Sequence, residues 1–467
     1  MRYVSTRGEA PAVAFDDVLL AGLAPDGGLY VPETWPSFSP DEIDALAGLD
    51  YGALAVRVMQ PFVGEALAAP DLGAIVAESC RAFDEDIAPL KKIGDNEWLL
   101  ELFHGPTLAF KDYALQFLGR MLDHVLRKRG QRATVIGATS GDTGSAAIEA
   151  CRDRESIEVF ILHPRGRVSE VQRRQMTTVT SANVHNVAIE GTFDDCQDLV
   201  KAMFADPAFR DRYHLSAVNS INWARIAAQI VYYFWAGAKL GAPNHAVSFS
   251  VPTGNFGNVF AAYAAVRVGL PVAQLVVASN RNDILTRFFA SGRMTIGEVS
   301  ATLSPSMDIQ VSSNFERLLF EVFERDGKKV AAAMKRFREK GEFAVSSGEL
   351  EKARALFDAA CFDDEATKRM IKQLWQETGD LVDPHTAVGI AAERAKRRDK
   401  AVPMVALATA HPAKFADAVE QATGVRPPLP ERLKGLFERE ERYEVLANDF
   451  RAVQDFVARR LAQRTAA

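Results

Sequence analysis

The strongest constraint on the fold is an alternation that occurs twice along the chain. From Ala133 the residues read as a strand over 134–137, a glycine-rich loop over 138–144 and a helix over 145–152. A strand over 158–162, a helix over 168–177 and a strand over 184–189 follow. A second run begins at His245, with a strand ending at Pro252, another glycine loop, a helix through Val268 and a strand over 273–279. Short apolar runs separated by helical spacing predict parallel strands, because parallel neighbours need a long crossover and the crossover is usually a helix. The fold class expected is therefore α/β, with parallel sheets flanked by helices.

A chain of 467 residues exceeds one core and suggests two or three packed units. Residues 1–95 mix short strands, turns such as Pro25-Asp26-Gly27-Gly28 and acidic amphipathic helices, and are expected to form an N-terminal domain. Residues 96–230 are expected to form one α/β domain, and 231–290 with 380–467 a second, which ends in a strand over 402–408 and helices. The stretch 291–379 is charged and mostly helical, and reads as an insertion. The net charge of -6 offers neither a nucleic-acid footprint nor a basic membrane patch. Four separated cysteines lack metal-ligand spacing, so no metal site is expected. The first residues lack a signal peptide's apolar core, and no window gives about 20 apolar residues in a row. The expectation is a cytoplasmic protein with no nucleic-acid or membrane partner.

Three segments carry chemistry. In His104-Gly105-Pro106-Thr107-Leu108-Ala109-Phe110-Lys111-Asp112, an apolar loop leads to a lysine at the start of a helix. The apolar positions of that helix, from Leu115 through Leu118, Met121, Leu122 and Val125, recur at spacings of three and four, and Lys128-Arg129-Gly130 ends it. The helix dipole disfavours a cation there by about 0.3–1 kcal/mol, and an apolar site adds desolvation. Both favour the neutral amine, which attacks an aldehyde. A lysine opening a helix is also compatible with an ordinary solvated residue. Gly254-Asn255-Phe256-Gly257-Asn258 lies between strand and helix and suits a phosphate held by backbone N–H groups, or else a tight turn. Ala138-Thr139-Ser140-Gly141-Asp142-Thr143-Gly144 offers hydroxyls and N–H groups to a carboxylate or phosphate. It has neither the lysine of a nucleotide loop nor the spacing of a dinucleotide or hydrolase motif.

The motifs HGPTLAFKD, ATSGDTGSAA, NSINWARI, VPTGNFGN and ATAHPAKF, in this order, together with YVSTRG and PDGGLYVP near the start, resemble the threonine synthases of the bacterial and fungal type. They run from residue 3 to about 415, nearly the whole chain. The resemblance implies a fold-type-II pyridoxal-phosphate enzyme, similar to the tryptophan synthase β subunit. It further implies conversion of O-phospho-L-homoserine and water to L-threonine and phosphate, by γ-elimination and β-addition of water. By match, Lys111 is the catalytic Schiff-base lysine, and Gly254, Asn255, Phe256, Gly257 and Asn258 hold the cofactor phosphate. Thr409 faces the pyridine nitrogen, where a neutral hydroxyl tempers the electron sink. Asn258 departs from the aspartate of many relatives, and Asp142 stands where broader fold-type-II enzymes carry asparagine.

For the substrate, the resemblance assigns Thr139, Ser140 and Thr143 to the carboxylate. The run from Asn219 to Arg225 supplies Ser220, Asn222 and Arg225 to the phosphate, with a structural ion pair as the other reading of Arg225. His385 reads as a helix-start residue, and His104 and His411 as pocket walls. A monomer is implied. Two alternatives stay open: a threonine-synthase-like phospholyase releasing 2-oxobutyrate, and a non-catalytic relative that binds phosphorylated metabolites.

Overall fold

The computed structural model describes residues 1–217 and 220–465. The chain divides into two compact units, one built from residues 1–114 and 220–428, the other from 115–219 and 429–467.

The first unit is organised by a six-stranded sheet in the order Phe357–Cys361, Val272–Ser279, Val247–Pro252, Met404–Ala408, Glu97–Glu101, Leu90–Gly94. Its first five strands are parallel, and only the edge strand Leu90–Gly94 is antiparallel. Strands Val247–Pro252 and Met404–Ala408 are buried at every residue. That explains why they read as unbroken apolar or small-residue runs rather than as alternating ones. Helix Pro384–Lys396 packs on this sheet at close range: the Ser250 hydroxyl donates to the Gly389 carbonyl at 2.7 Å, and a Cβ on Gly389 would stand 3.1 Å from Pro252. A small antiparallel sheet of Val13–Ala14, Arg2–Ser5 and Tyr30–Pro32 belongs to the same unit. The expected N-terminal domain is thus continuous with the large sheet, to which residues 90–94 contribute a strand.

The second unit holds a five-stranded parallel sheet in the order Glu444–Ala447, Val184–Glu190, Ile157–Pro164, Ala133–Ala138, Leu215–Ser216. Its core gathers Ile136, Phe160, Leu162, Val187 and Ile189 with Val453, Phe456 and Val457 of the last helix. The expected boundaries therefore change, and of the domain expected over 96–230 the residues 96–114 and 220–230 fall in the first unit. Residues 429–467 join this unit, not the one carrying 380–428, because Glu444–Ala447 pairs in parallel with 187–190. Residues 97–101, expected with the first α/β run, pair instead with Met404–Ala408. The stretch 291–379 is largely helical and also supplies the edge strand Phe357–Cys361. No helix among the described residues is long and apolar enough to cross a membrane.

Candidate active site

Glu97–Glu101, Met404–Ala408 and Val247–Pro252 are three neighbouring parallel strands, and each of three motif segments leaves the C-terminal end of one of them. That edge of an open parallel sheet is where ligands bind, since the loops there are free to vary while the strands hold them in register. From the first strand comes the loop ending in Lys111; from the second, Thr409; from the third, Gly254 to Asn258.

The lysine loop is stitched to the segment that carries Thr409. Leu102 N–H donates to the Ala408 carbonyl at 2.9 Å, Phe110 N–H to Thr409 at 2.9 Å, and His411 N–H to Leu108 at 3.0 Å. The Lys414 ammonium donates to the Thr107 carbonyl at 2.6 Å. Inside the loop the Asp112 carboxylate accepts from Thr107 N–H at 2.8 Å and from the Thr107 hydroxyl at 2.7 Å. Gly105 lies directly against that carboxylate, where a Cβ would come within 2.5 Å of Asp112 Oδ2. The helix then starts at Lys111 itself, as Lys111–Arg129. Lys111 is buried, 8 % exposed, with Nζ 5.3 Å from the centre of the Phe110 ring. A solvated surface lysine is excluded. The apolar loop and helix start expected to favour a neutral amine are both present.

The glycine loop is set by Phe256, which adopts a left-handed conformation with φ of 63° and is fully buried against Phe315 and Phe357. Helix Gly257–Arg267 follows, and Phe256 gives it no side-chain cap. Among the described residues no acceptor meets the backbone N–H groups of Asn255, Phe256, Gly257 and Asn258. Donors left open at a helix N-terminus suit an anion. The loop is walled from behind: Ser312 donates to the Gly254 carbonyl at 2.7 Å and Asn314 N–H to the Asn255 carbonyl at 3.0 Å. The Asn258 side chain turns away from this role. Its Oδ1 accepts from the hydroxyls of Tyr232 and Tyr233, while Nδ2 is buried without a partner.

Asn314 also joins this loop to the next segment, since its side-chain amide donates to the Ser220 carbonyl at 3.2 Å. Asn219 lies outside the described residues. Asn222, expected to touch substrate, caps helix Trp223–Lys239 instead: its Oδ1 accepts from Ala224 N–H at 3.0 Å and its Nδ2 donates to the Leu19 carbonyl at 2.9 Å. Arg225, in the first turn, is 4 % exposed. Its Nε has no hydrogen-bond partner and it forms no ion pair among the described residues. Burial pushes its guanidinium down to about 10, so it stays charged near neutrality. Among the described residues Arg225 is thus a buried cation without the structural ion pair that was its other reading.

In the second unit, Thr139 and Ser140 lie in the loop after Ala133–Ala138, and Thr143 in the first turn of the helix that follows. Helix Asp142–Cys151 starts three residues earlier than expected. The Thr139 hydroxyl accepts from Gly141 and Gly144 N–H groups, both at 2.9 Å, which shapes the loop and leaves its own hydrogen as a donor. Ser140 is exposed and Thr143 half-buried. Asp142 accepts from Gln172 at 2.8 Å.

Three family models match the chain: threonine synthase N terminus over residues 2–80, pyridoxal-phosphate dependent enzyme over 86–348, and threonine synthase C-terminal over 386–457. A threonine synthase of Pseudomonas aeruginosa is 58% identical over 460 residues, covering 98% of each chain. The chain belongs to the threonine synthase family. The crystal structure of a PLP-bound threonine synthase from Brucella melitensis superposes with a TM-score of 0.97 at 52% identity, over 98% of this chain and 99% of that one. The yeast threonine synthase does so with a TM-score of 0.94 at 39% identity, over 99% of both.

The cofactor of the family, pyridoxal phosphate, fits the residues present. A buried amine, an uncapped helix N-terminus with open N–H groups and the Thr409 hydroxyl, itself buried, all leave one sheet edge. The family motifs contain further residues that sequence reasoning left without a role. Asp112 and Lys414 stand inside quoted motifs and turn out to hold the lysine loop. Ser312, Asn314 and Arg317 gave no local signal, because they act from a segment about 60 residues downstream of the glycine loop. Arg317, fully buried, donates to the carbonyls of Ile221 and Tyr30 and so ties down the segment just before Asn222. His385 is a helix-start residue, its Nδ1 against Asp383 at 2.6 Å and its Nε2 accepting from Ser306 N–H at 3.2 Å. His411 is pushed down to about 4 by burial and by the neighbouring His104, in keeping with its Nδ1 accepting from Ala413 N–H.

Proposed function

We propose that this chain converts O-phospho-L-homoserine and water to L-threonine and phosphate, with pyridoxal phosphate as cofactor. The observation that carries the assignment of residues is the departure of the Lys111 loop, Thr409 and the 254–258 loop from three neighbouring strands. Lys111 holds the cofactor through Nζ, the N–H groups of 255–258 hold its phosphate, and the Thr409 hydroxyl meets the ring nitrogen. When bound, pyridoxal phosphate supplies an electron sink for negative charge developing on the substrate carbons. Lys111 Nζ removes the proton from Cα and serves again at Cβ, which requires a neutral amine with freedom to move. The 104–112 loop is fixed on both sides, so only the side chain needs to swing.

Arg225 and Ser220 receive the substrate phosphate. Burial strengthens the Arg225 contact, because a guanidinium removed from water interacts with an anion at lower effective dielectric. The assignment of the substrate carboxylate to Thr139, Ser140 and Thr143 rests on the resemblance, supported by the hydroxyl hydrogen that Thr139 keeps as a donor while its oxygen accepts from the loop. Asn222 acts through the helix it caps. A monomer working in the cytoplasm is part of the same proposal.

Lys111→Ala tests the reading. Loss of the visible absorbance of bound cofactor together with loss of phosphate release is expected. Retention of both would overturn the role of Lys111, and 2-oxobutyrate as the main product of the native enzyme would overturn the water-addition step.

A further inference from the structure

Two stretches of the first unit hand their carbonyls to the same short segment. In the glycine loop, the Gly254 carbonyl accepts from the Ser312 hydroxyl at 2.7 Å and the Asn255 carbonyl from Asn314 N–H at 3.0 Å. In the run before helix Trp223–Lys239, the Ser220 carbonyl accepts from Asn314 Nδ2 at 3.2 Å and the Ile221 carbonyl from Arg317 Nη2 at 2.6 Å. The segment 312–317 thus answers two consecutive carbonyls of each stretch.

A trans peptide points its C=O and its N–H in opposite directions. Holding those four carbonyls therefore turns the N–H groups of Asn255, Phe256, Ile221 and Asn222 away from the segment. Among the described residues none of the four finds an acceptor. Both stretches run straight into a helix, Gly257–Arg267 in one case and Trp223–Lys239 in the other, so the helix dipole adds to the attraction for an anion. One template aims two anion-facing backbones.

Asn314 is common to both, and it is fully buried. Its amide has one orientation: Arg317 Nη1, which can only donate, meets Asn314 Oδ1, so Nδ2 is the atom that faces Ser220. Arg317 is itself anchored on the Tyr30 carbonyl at 3.0 Å. The main chain of Asn314 holds the glycine loop while its side chain holds the Ser220 peptide. We propose that Asn314 is a positioning residue for the reaction, whose side chain sets the Ile221 and Asn222 N–H groups beside Arg225 to receive the substrate phosphate, in fixed register with the cofactor loop. The proposal rests on the reading of Ser220 and Arg225 as the substrate-phosphate site.

Asn314→Ala removes the side-chain bonds and keeps the main-chain bond to Asn255. Phosphate-release kinetics, cofactor titration and melting of the apoprotein read the consequence, with L-threonine, which carries no phosphate, as the comparison ligand followed by cofactor absorbance. KM for phosphohomoserine is expected to rise about fivefold or more, while the affinities for L-threonine and for the cofactor each change by less than about twofold. Asn314→Asp keeps the acceptor for Arg317 and loses only the donor to Ser220; it is expected to raise KM likewise, and it carries the test should the alanine variant not fold. An unchanged KM in both variants overturns the proposal. So does a rise confined to Asn314→Asp, which is charge repulsion, or an equal loss of affinity for cofactor, L-threonine and phosphohomoserine with a lowered melting temperature. Arg225→Met separates the two readings. A raised KM there beside an unchanged one in Asn314→Ala overturns the positioning role alone, and the reverse pattern upholds that role while removing Arg225 from the phosphate site.

Discussion

A single methyl group on Gly254 tests whether the wall behind the glycine loop shapes an anion site. Gly254 does not have a positive φ, so alanine is allowed by the backbone and the substitution isolates the contact. The new Cβ would stand 3.0 Å from the Ser306 carbonyl oxygen and 3.1 Å from Met307 Cα. These are backbone atoms and cannot swing aside. Ser306 N–H is fixed on His385, Met307 N–H on Ser304, and Asp308 binds Asn280, Asn282 and Thr302. The loop itself must move, and overpacking of this kind costs about 1–3 kcal/mol. If the loop is held rigid without cofactor, the cost appears as lowered stability of the apoprotein. If it relaxes outward, the open N–H groups move from their places and cofactor affinity falls by about 10- to 100-fold. Thermal melting of the apoprotein and a cofactor titration followed by absorbance read the two parts separately. Gly257→Ala is the milder control, since its Cβ meets the Asn314 side-chain nitrogen at 3.3 Å and a side chain can yield. Native stability and native cofactor affinity in Gly254→Ala would together refute the argument.

Arg225→Met removes the buried cation, and KM for phosphohomoserine is expected to rise at least tenfold while the cofactor spectrum persists; an unchanged KM would remove Arg225 from the substrate site. Asn222→Ala deletes the cap and the bond to Leu19, with an expected loss of about 0.5–2 kcal/mol in denaturant unfolding. His411 has a folded pKa near 4, below the usual 6.5, so between these values the unfolded chain binds more protons than the folded one. Its contribution to stability is full above pH ~6.5 and is lost as pH falls toward 4. His411→Asn, which keeps an acceptor at the cap and removes the titration, should flatten that part of the melting-temperature profile. The groups around it, His104, Glu101, Asp383 and Lys414, are unchanged in the variant.

What could be read from the sequence was whatever is enforced locally. Parallel strands buried on both faces, such as Val247–Pro252 and Met404–Ala408, must be continuous apolar or small-residue runs, and they are visible as such. The glycine loop is legible for a similar reason. Phe256 at positive φ followed by Gly257 at a helix start is a backbone requirement expressed in adjacent residues. The strand Glu444–Ala447 escaped notice because it is an edge strand, mostly exposed, in a charged stretch, and its pairing with 187–190 leaves no local trace. The domain boundaries failed at that point for the same reason.

Side-chain roles divide along the same line. A polar residue in a motif can face a ligand or hold the backbone that does, and spacing does not distinguish the two. Asn222 and Asn258 show this: one caps a helix and binds Leu19, the other is gripped by two tyrosine hydroxyls, and neither arrangement can be inferred without Leu19, Tyr232 and Tyr233 in place. Arg225 goes the other way. Its sequence context allowed an ion pair, and only the packed structure shows a buried guanidinium with an unpartnered Nε and no ion pair among the described residues. Desolvating an unpaired cation costs stability in the free protein. The substrate phosphate proposed for Arg225 would offset that cost, which is why Arg225→Met is expected to act on KM rather than on the cofactor spectrum.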